Sequence, residues 1–432
     1  MRLIAAGILV ILSTAVGALG EGESKYPPPD LGENYVQPRA SMPEITHEIP
    51  PIVDIGILAG ALVLASCLAL KARNRKAIWL LGVASLVYFG FYRQGCVCPI
   101  GAIQSMAEAI FNPAAAISLV VIVFFALPLL FTLFFGRSFC ASVCPLGAVQ
   151  EVVLFRPLRL PGLLRHALGL LPAVYLALAV LFAATGSAYV ICRYDPFIAL
   201  FRLNGPAGML ILAACFLVIS MFVGRPYCRF LCPYGLLLGW ASKLSWRRVT
   251  ITPNECISCR LCENACPYGA IMVPNEKTLP ENRKKGSVAL VSMIVIAPLV
   301  IGATAWLMHK TAPTLAKMHP TVRLAERVRR EEAREVSDTT DASQAFRESG
   351  RSSEDLNTHA AEITGNVTQG AIWAGAFIGL VIALRLISLS TRRTRSDYLA
   401  DRALCVACGR CFEFCPVDPR NKREKPLDGD SA

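Results

Sequence analysis

The sequence predicts an α-helical multi-pass membrane protein with an internal repeat, together with a small cysteine-rich domain split by two of its spans. Three observations carry that expectation. The 432 residues are 54% hydrophobic and only 17% charged, too apolar for a soluble chain of this length. Most of the apolar residues gather into runs near the roughly 20 residues that cross a bilayer. The 17 cysteines cluster in short motifs, two of them near copies: "GRSFCASVCPLG" at 136–147 and "GRPYCRFLCPYG" at 224–235 share six of twelve positions.

From the start of the chain, residues 1–20 carry one arginine, an apolar stretch and Ala18-Leu19-Gly20. They read as a signal sequence or an uncleaved anchor. The proline-rich residues 21–50 then form an extended extracytoplasmic segment. Seven apolar runs follow, at about 51–70, 77–92, 114–135, 167–187, 206–223, 287–308 and 370–389. Alternating them places 71–76, 136–166, 224–286 and 390–432 in the cytoplasm, with 4, 4, 10 and 9 lysines and arginines, against 2, 1 and 2 in the short outer segments. That asymmetry is the positive-inside pattern. It accounts for the net charge of +12 without nucleic acid, so no nucleic-acid partner is expected. The long outer loop 309–369 balances nine basic against ten acidic residues, and "VRLAERVRREEAREV" within it reads as a mixed-charge surface helix. The expected domains are a membrane core with two cysteine-containing repeats (51–250), then a cysteine-rich half (251–286). A span (287–308), the outer loop (309–369), a second span (370–389) and a second cysteine-rich half (390–432) complete the chain.

The two halves are defined by "CISCRLCENACP" and "CVACGRCFEFCP". Both have the spacing C-x2-C-x2-C-x3-C-P of bacterial ferredoxins, in which the fourth cysteine of each run serves the other [4Fe–4S] cluster. Cys256, Cys259 and Cys262 are therefore expected to join Cys415, and Cys405, Cys408 and Cys411 to join Cys266. The alternative, structural zinc, needs four ligands in tetrahedral pairs. Almost 140 residues and two spans separate the runs, so the spans form a hairpin inserted into one split, cytoplasmic ferredoxin domain.

In the repeated motif, Cys140 with Cys144 and Cys228 with Cys232 have the i,i+4 spacing of one helical face, with Pro and Gly turning the chain afterwards. All four lie at cytoplasmic span ends, where two pairs can supply four thiolates to an inner-face cluster, with Arg137 and Arg225 as cationic neighbours. A disulfide is disfavoured in a reducing compartment. Three more cysteines fall on the opposite side: Cys96 and Cys98 in "GCVCPIG", and Cys192 in "ICRYDPF". Aligning Pro99 with Pro196 sets Asp195 opposite Cys98, so three thiolates and a carboxylate are candidates for an outer cluster. A disulfide among the three remains the alternative there. Cys67 and Cys215 read as packing residues inside spans. No C-x-x-C-H haem motif, dinucleotide fingerprint or P-loop occurs.

Paired C-x3-C-P motifs at span ends followed by ferredoxin runs resemble the membrane polyferredoxins of the NapH and NosR type, over residues 77–275 and 400–418. The resemblance implies a cytoplasmic-membrane protein moving electrons between a cytoplasmic donor or acceptor, the quinone pool and an extracytoplasmic redox protein (a flavoprotein or metalloreductase). The chain lacks a large flavin domain, which speaks against a NosR-like maturation role, while the membrane hairpin that splits the ferredoxin and the outer cysteine group suggest a route through the membrane. The expected function is an iron–sulfur electron relay. The rivals are a quinol dehydrogenase subunit and an accessory protein of maturation or regulation.

Overall fold

The computed structural model describes residues 50–418 apart from 96–98, 114, 116, 159, 252–255, 276–282, 337 and 392–394. Residues 1–20, expected to be a signal sequence or anchor, nearly all of the segment after them, and Cys96 and Cys98 thus lie outside the described residues.

The first hairpin pairs α1 (Pro51–Cys67), continued as a π-helix over Leu68–Ala72, with α2 (Arg75–Ser85), continued likewise over Leu86–Tyr92. At the turn Arg73 is left-handed (φ 45°) and the Asn74 side chain caps α2. At the far end Asp54, 1% exposed, accepts from Tyr88 Oη at 2.9 Å and pairs with Arg93. A buried carboxylate survives only when its partners are this complete, so the pair pins the two helices in register.

Two repeats follow. The first contains α3 (Pro99–Phe111), α4 (Leu119–Phe135), α5 (Ser138–Ser142) and α6 (Pro145–Val152). A connecting stretch runs through α7 (Gly162–Leu168), α8 (Leu171–Ala184) and α9 (Val190–Tyr194). The second repeat contains α10 (Pro196–Arg202), α11 (Ala207–Phe222), α12 (Pro226–Phe230) and α13 (Pro233–Lys243). Proline opens α3, α6, α10 and α13, where its missing N–H costs nothing, and it forces the residue before it out of the helical region. Cys144, Asp195 and Cys232 accordingly take extended backbone, with ψ of 118°, 109° and 112°.

This geometry corrects the single-face reading of the pairs. Cys140 lies in α5 while Cys144 caps α6, and Cys228 lies in α12 while Cys232 caps α13. Nor do the glycines turn the chain. A Cβ on Gly147 would stand 3.1 Å from Arg225 Nη1, and one on Gly235 would stand 2.9 Å from the Cys228 carbonyl and 3.5 Å from Arg137 Nη2. Each repeat's arginine therefore crosses onto the other repeat's glycine. The repeats also exchange backbone hydrogen bonds at matching positions: Trp246 N to Leu133 O and Arg247 N to Phe134 O, against Phe155 N to Met221 O and Leu158 N to Phe222 O.

The rest of the chain is α14 (Leu261–Ala265), β1 (Ile271–Met272), α15 (Arg283–Ala316), α16 (Pro320–Glu332), α17 (Asp341–Glu348), α18 (Ser353–Ser390), β2 (Leu399–Ala400) and α19 (Arg410–Glu413). β1 and β2 pair antiparallel, Ile271 with Ala400 and Met272 with Leu399, joining the two cysteine-rich halves. The helices α15 and α18 form the hairpin between those halves. A Cβ on Gly375 would meet Ala305 Cα at 2.7 Å, and one on Gly379 would meet Ile301 Cα at 2.7 Å. This G-x3-G contact lets the two backbones touch, as small residues do between membrane helices. The mixed-charge helix expected in the outer loop is α16, which buries Ala325 and Val328.

Among the described residues four helices are long and apolar enough to cross a membrane: Pro51–Ala72, Gly162–Ala184, Gly286–Ala316 and Ser353–Ser390. A fifth crossing exists if Pro196–Arg202 and Ala207–Phe222, bent by 104°, count as one. The run at 114–135 forms only the 17-residue α4, and that at 77–92 forms α2 with its π-helical continuation. Of the seven expected runs, four or five thus qualify as crossings by length and composition among the described residues. One core joins the bundle to the cysteine-rich domain, with Leu62, Phe139, Phe197, Tyr227 and Leu238 continuous with Cys266 and Val406.

Candidate metal centres

Fifteen of the cysteines are described, and twelve of them gather in three sets of four. Cys256, Cys259, Cys262 and Cys415 line one cleft with Ile251 and Tyr398. Cys266, Cys405, Cys408 and Cys411 line a second with Val249 and Tyr268. The fourth cysteine of each run thus sits with the first three of the other. The two binding loops share a backbone trick: Ser258 and Ala407, then Arg260 and Gly409, are left-handed at matching positions (φ 55°, 55°, 60° and 79°). Successive right- and left-handed residues form concave amide nests that favour anions, as at many Fe–S sites.

The third set is Cys140, Cys144, Cys228 and Cys232, contributed by both repeats. Cys232 lies within electrostatic reach of the other three thiols. Donors already aim at three of the sulfurs. Gln150 Nε2 reaches Cys228 Sγ at 3.3 Å, the Gly235 amide reaches Cys232 Sγ at 3.3 Å, and Arg137 Nη2 lies 3.7 Å from Cys140 Sγ. Burial pushes the Cys228 thiol up to about 12 despite the opposing pull of Arg225, and burial likewise raises Cys405 to about 12. Such thiols stay protonated until metal takes the proton's place.

Four thiols in each set match a cube with one thiolate per iron. Tetrahedral zinc would instead need its sulfurs at about 2.3 Å from one point. The donors suit a [4Fe–4S] cluster in each set.

The outer group is described only in part. Cys192 is exposed, while Asp195 is 3% exposed and caps α10 by accepting from Phe197 N at 2.9 Å. Its surroundings copy those of the third set. Gln104 Oε1 accepts from Ile191 N at 2.9 Å, just as Gln150 Oε1 accepts from Tyr227 N at 3.1 Å, and each of those amides precedes a cysteine. The signal was present in "CPIGAIQ" (98–104) and "CPLGAVQ" (144–150). Neither glutamine was singled out from the sequence, nor was Tyr175 in α8, which lies within electrostatic reach of Cys232, Cys192 and Asp195 together.

Sequence reading also missed the joint that seats the cysteine-rich domain on the membrane core. Glu151, 5% exposed, accepts from Arg75 Nη2 at 2.6 Å, Arg225 Nε at 3.2 Å, Arg410 Nη2 at 3.1 Å and Tyr268 Oη at 2.5 Å. These partners come from α2, the second repeat and both cysteine-rich halves. Arg225 continues to the Cys140 and Ala141 carbonyls, and Arg75 to the Cys408 carbonyl at 2.9 Å. Burial alone would raise the Glu151 carboxyl, but Arg225, Arg75 and Arg410 together hold it at about 2. Further contacts run from Arg137 to Ala403 O at 2.7 Å and from Ser242 to Arg402 O at 2.5 Å.

Comparison with known proteins points to the same iron–sulfur chemistry. A family model described as a 4Fe–4S binding domain matches residues 117–163 and 205–252, spanning both pairs of the third set. A second model of the same description matches 249–272. An uncharacterized protein of Methanocaldococcus jannaschii is 33% identical over 190 residues, 42% of this chain and 77% of its own length. The putative electron transport protein YccM of Escherichia coli is 31% identical over 172 residues, covering 35% and 46%. The regulatory protein NosR of Pseudomonas aeruginosa is 28% identical over 209 residues, covering 43% and 28%. The chain thus spans three quarters of the first relative and less than half of the other two. No solved structure matches. The paired C-x3-C-P thiols, the ferredoxin runs and these relatives agree, and the chain belongs to the membrane-associated 4Fe–4S polyferredoxins of the NosR and NapH type.

Proposed function

We propose that the chain is an iron–sulfur electron-transfer protein of the cytoplasmic membrane, relaying electrons between a cytoplasmic donor or acceptor and an extracytoplasmic flavoprotein or metalloreductase. The observation that carries this reading is the order of the cysteine sets. The first set adjoins the second through Cys262 and Cys411. Arg225 feels both Cys408 of the second and Cys228 of the third. Tyr175 feels both Cys232 and the Cys192–Asp195 group. Hydrocarbon is about 30 Å thick, so a path with stations on both faces suits transfer across it.

[4Fe–4S] clusters bound by these sets would supply reversible one-electron chemistry. The chain's own part is to fix the stations and, at the second and third sets, to shield them from water. Cys140, Cys144, Cys232, Cys266 and Cys408 are buried, and Phe139, Tyr234 and Leu238 pack in the same core. Gln150 and Gly235 stabilise negative charge on sulfur. The outer station is proposed to hold Cys96, Cys98 and Cys192, with Asp195 in the place that Cys232 takes in the third set. The ferredoxin domain and the carboxy terminus are proposed to face the cytoplasm, on the strength of the basic-residue asymmetry.

Iron and acid-labile sulfide in anaerobically purified protein test the reading. About twelve irons per chain are expected from the three sets, and more with the outer station. Zinc in place of iron, or about eight irons or fewer, would contradict it.

A further inference from the structure

We propose that Arg165, His166, Arg229 and Arg385 form a binding site for the phosphate headgroup of an anionic membrane lipid. The four side chains come from three separated segments: α7, α12 and α18. Arg165 stands at the centre, within electrostatic reach of each of the other three. Arg385 donates to Gly169 O at 2.8 Å, at the carboxy-terminal cap of α7. It packs so closely there that a Cβ on Gly169 would meet its Nη2 at 2.7 Å. Arg165 makes only a long bond, 3.3 Å, to Gly269 O. His166 Nδ1 is buried with no hydrogen-bond partner. Among the described residues none of the four has a carboxylate partner. That contrasts with Glu151, where three arginines share an acid. Arg229 is also within reach of the Cys266 thiol, whereas Arg165, His166 and Arg385 converge with no acidic group beside them and call for an anion from outside the chain.

The surroundings say which anion. The cluster lies where two membrane-crossing helices, Gly162–Ala184 and Ser353–Ser390, come together. Leu163 (86% exposed), Leu164 (44%) and Leu384 (57%) lie beside it in the chain. A headgroup on the basic side chains would leave its acyl chains against those leucines. Basic pockets between membrane helices take anionic headgroups in this way, whereas a free phosphate has no use for the apolar rim. The inference needs membrane residence but not the electron-relay reading.

Native mass spectrometry of the purified full chain, titrated with phosphatidylglycerol or phosphatidylcholine, tests it. Phosphatidylglycerol should be retained selectively. Arg165→Gln with Arg385→Gln should weaken that retention about 30-fold, with iron content unchanged. Arg165→Lys with Arg385→Lys keeps the charges and should keep the binding. Arg329→Gln with Arg330→Gln, removing the same charge from α16, should leave it unaltered. Equal retention of the two lipids, or undiminished binding by the double glutamine variant, would overturn the site. Loss in the lysine variant would do so too. Displacement by equimolar inorganic phosphate would instead mark a soluble-anion site and refute the lipid.

Discussion

Glu151 is the residue whose replacement should reveal most about how the domains are held. In Glu151→Gln the shape stays and the charge goes, leaving Arg75, Arg225 and Arg410 buried against a neutral amide. The fall of the Glu151 carboxyl from 4.5 to about 2 corresponds to about 3 kcal/mol of stabilisation. Stranding a buried charge costs about 3–5 kcal/mol, so both routes give a similar magnitude. The energy belongs to docking, because the carboxylate ties both cysteine-rich halves to the core. Hydrogen–deuterium exchange of peptides covering 261–272 and 399–410 reads it. If they exchange by undocking, exchange should quicken about 100-fold in the variant, while α15 and α18 keep their protection. The sign with pH follows from the depressed carboxyl. The stabilisation is complete above about pH 4.5 and is lost as pH falls towards 2, so the parent should loosen across that window and Glu151→Gln should not respond. Unchanged exchange at neutral pH, or identical acid profiles, would refute the joint.

Other consequences are equally concrete. Cys415→Ser should alter the EPR signal of the cluster held by Cys256, Cys259 and Cys262, and Cys266→Ser that of Cys405, Cys408 and Cys411; the reverse pairing would defeat crossed ligation. Gly379→Leu forces a side chain into Ile301 and should cost about 1–3 kcal/mol or more, seen as reduced thermal stability of the detergent-solubilised protein. An exposed change such as Arg330→Gln should do nothing measurable. Gln150→Leu removes a donor from Cys228 and should lower the midpoint potential of the third set with iron retained; an unmoved potential would dismiss the glutamine. Asp195→Cys should preserve an outer cluster and shift its potential, since thiolate is a softer donor than carboxylate; a disulfide found among Cys96, Cys98 and Cys192 would remove that station.

What was legible in the sequence was whatever its chemistry writes locally. The C-x2-C-x2-C-x3-C runs declare their ligands because three thiolates on one loop must be closely spaced, and the charge asymmetry puts both runs on one side. The copied "CPLG" and "CPYG" reveal the repeat, but proline spacing alone was read as a break after one helix. It is in fact the start of a new one, with Cys144 and Cys232 as caps. Hydropathy counts apolar residues and carries no sign of bends, so 206–223 looked like an independent span although α11 meets α10 at 104°. Glu151 was invisible for a different reason. Its partners lie 74 to 259 positions away, and no local pattern distinguishes it from a surface glutamate. Gln104 and Gln150 are legible only when Pro99 is aligned with Pro145, which sets "CPIGAIQ" over "CPLGAVQ"; alignment of Pro99 with Pro196 hides them.

The central claim, a stack of three four-cysteine centres held close by one joint, is tested most directly by EPR of the anaerobic, fully reduced protein at low temperature. About three cluster spins per chain should be found from these sets, with one more from the outer station, and with lines broadened by mutual interaction because neighbouring sets share Arg225 and meet at Cys262 and Cys411. Two spins per chain or fewer, or three sharp signals without interaction, would contradict the account.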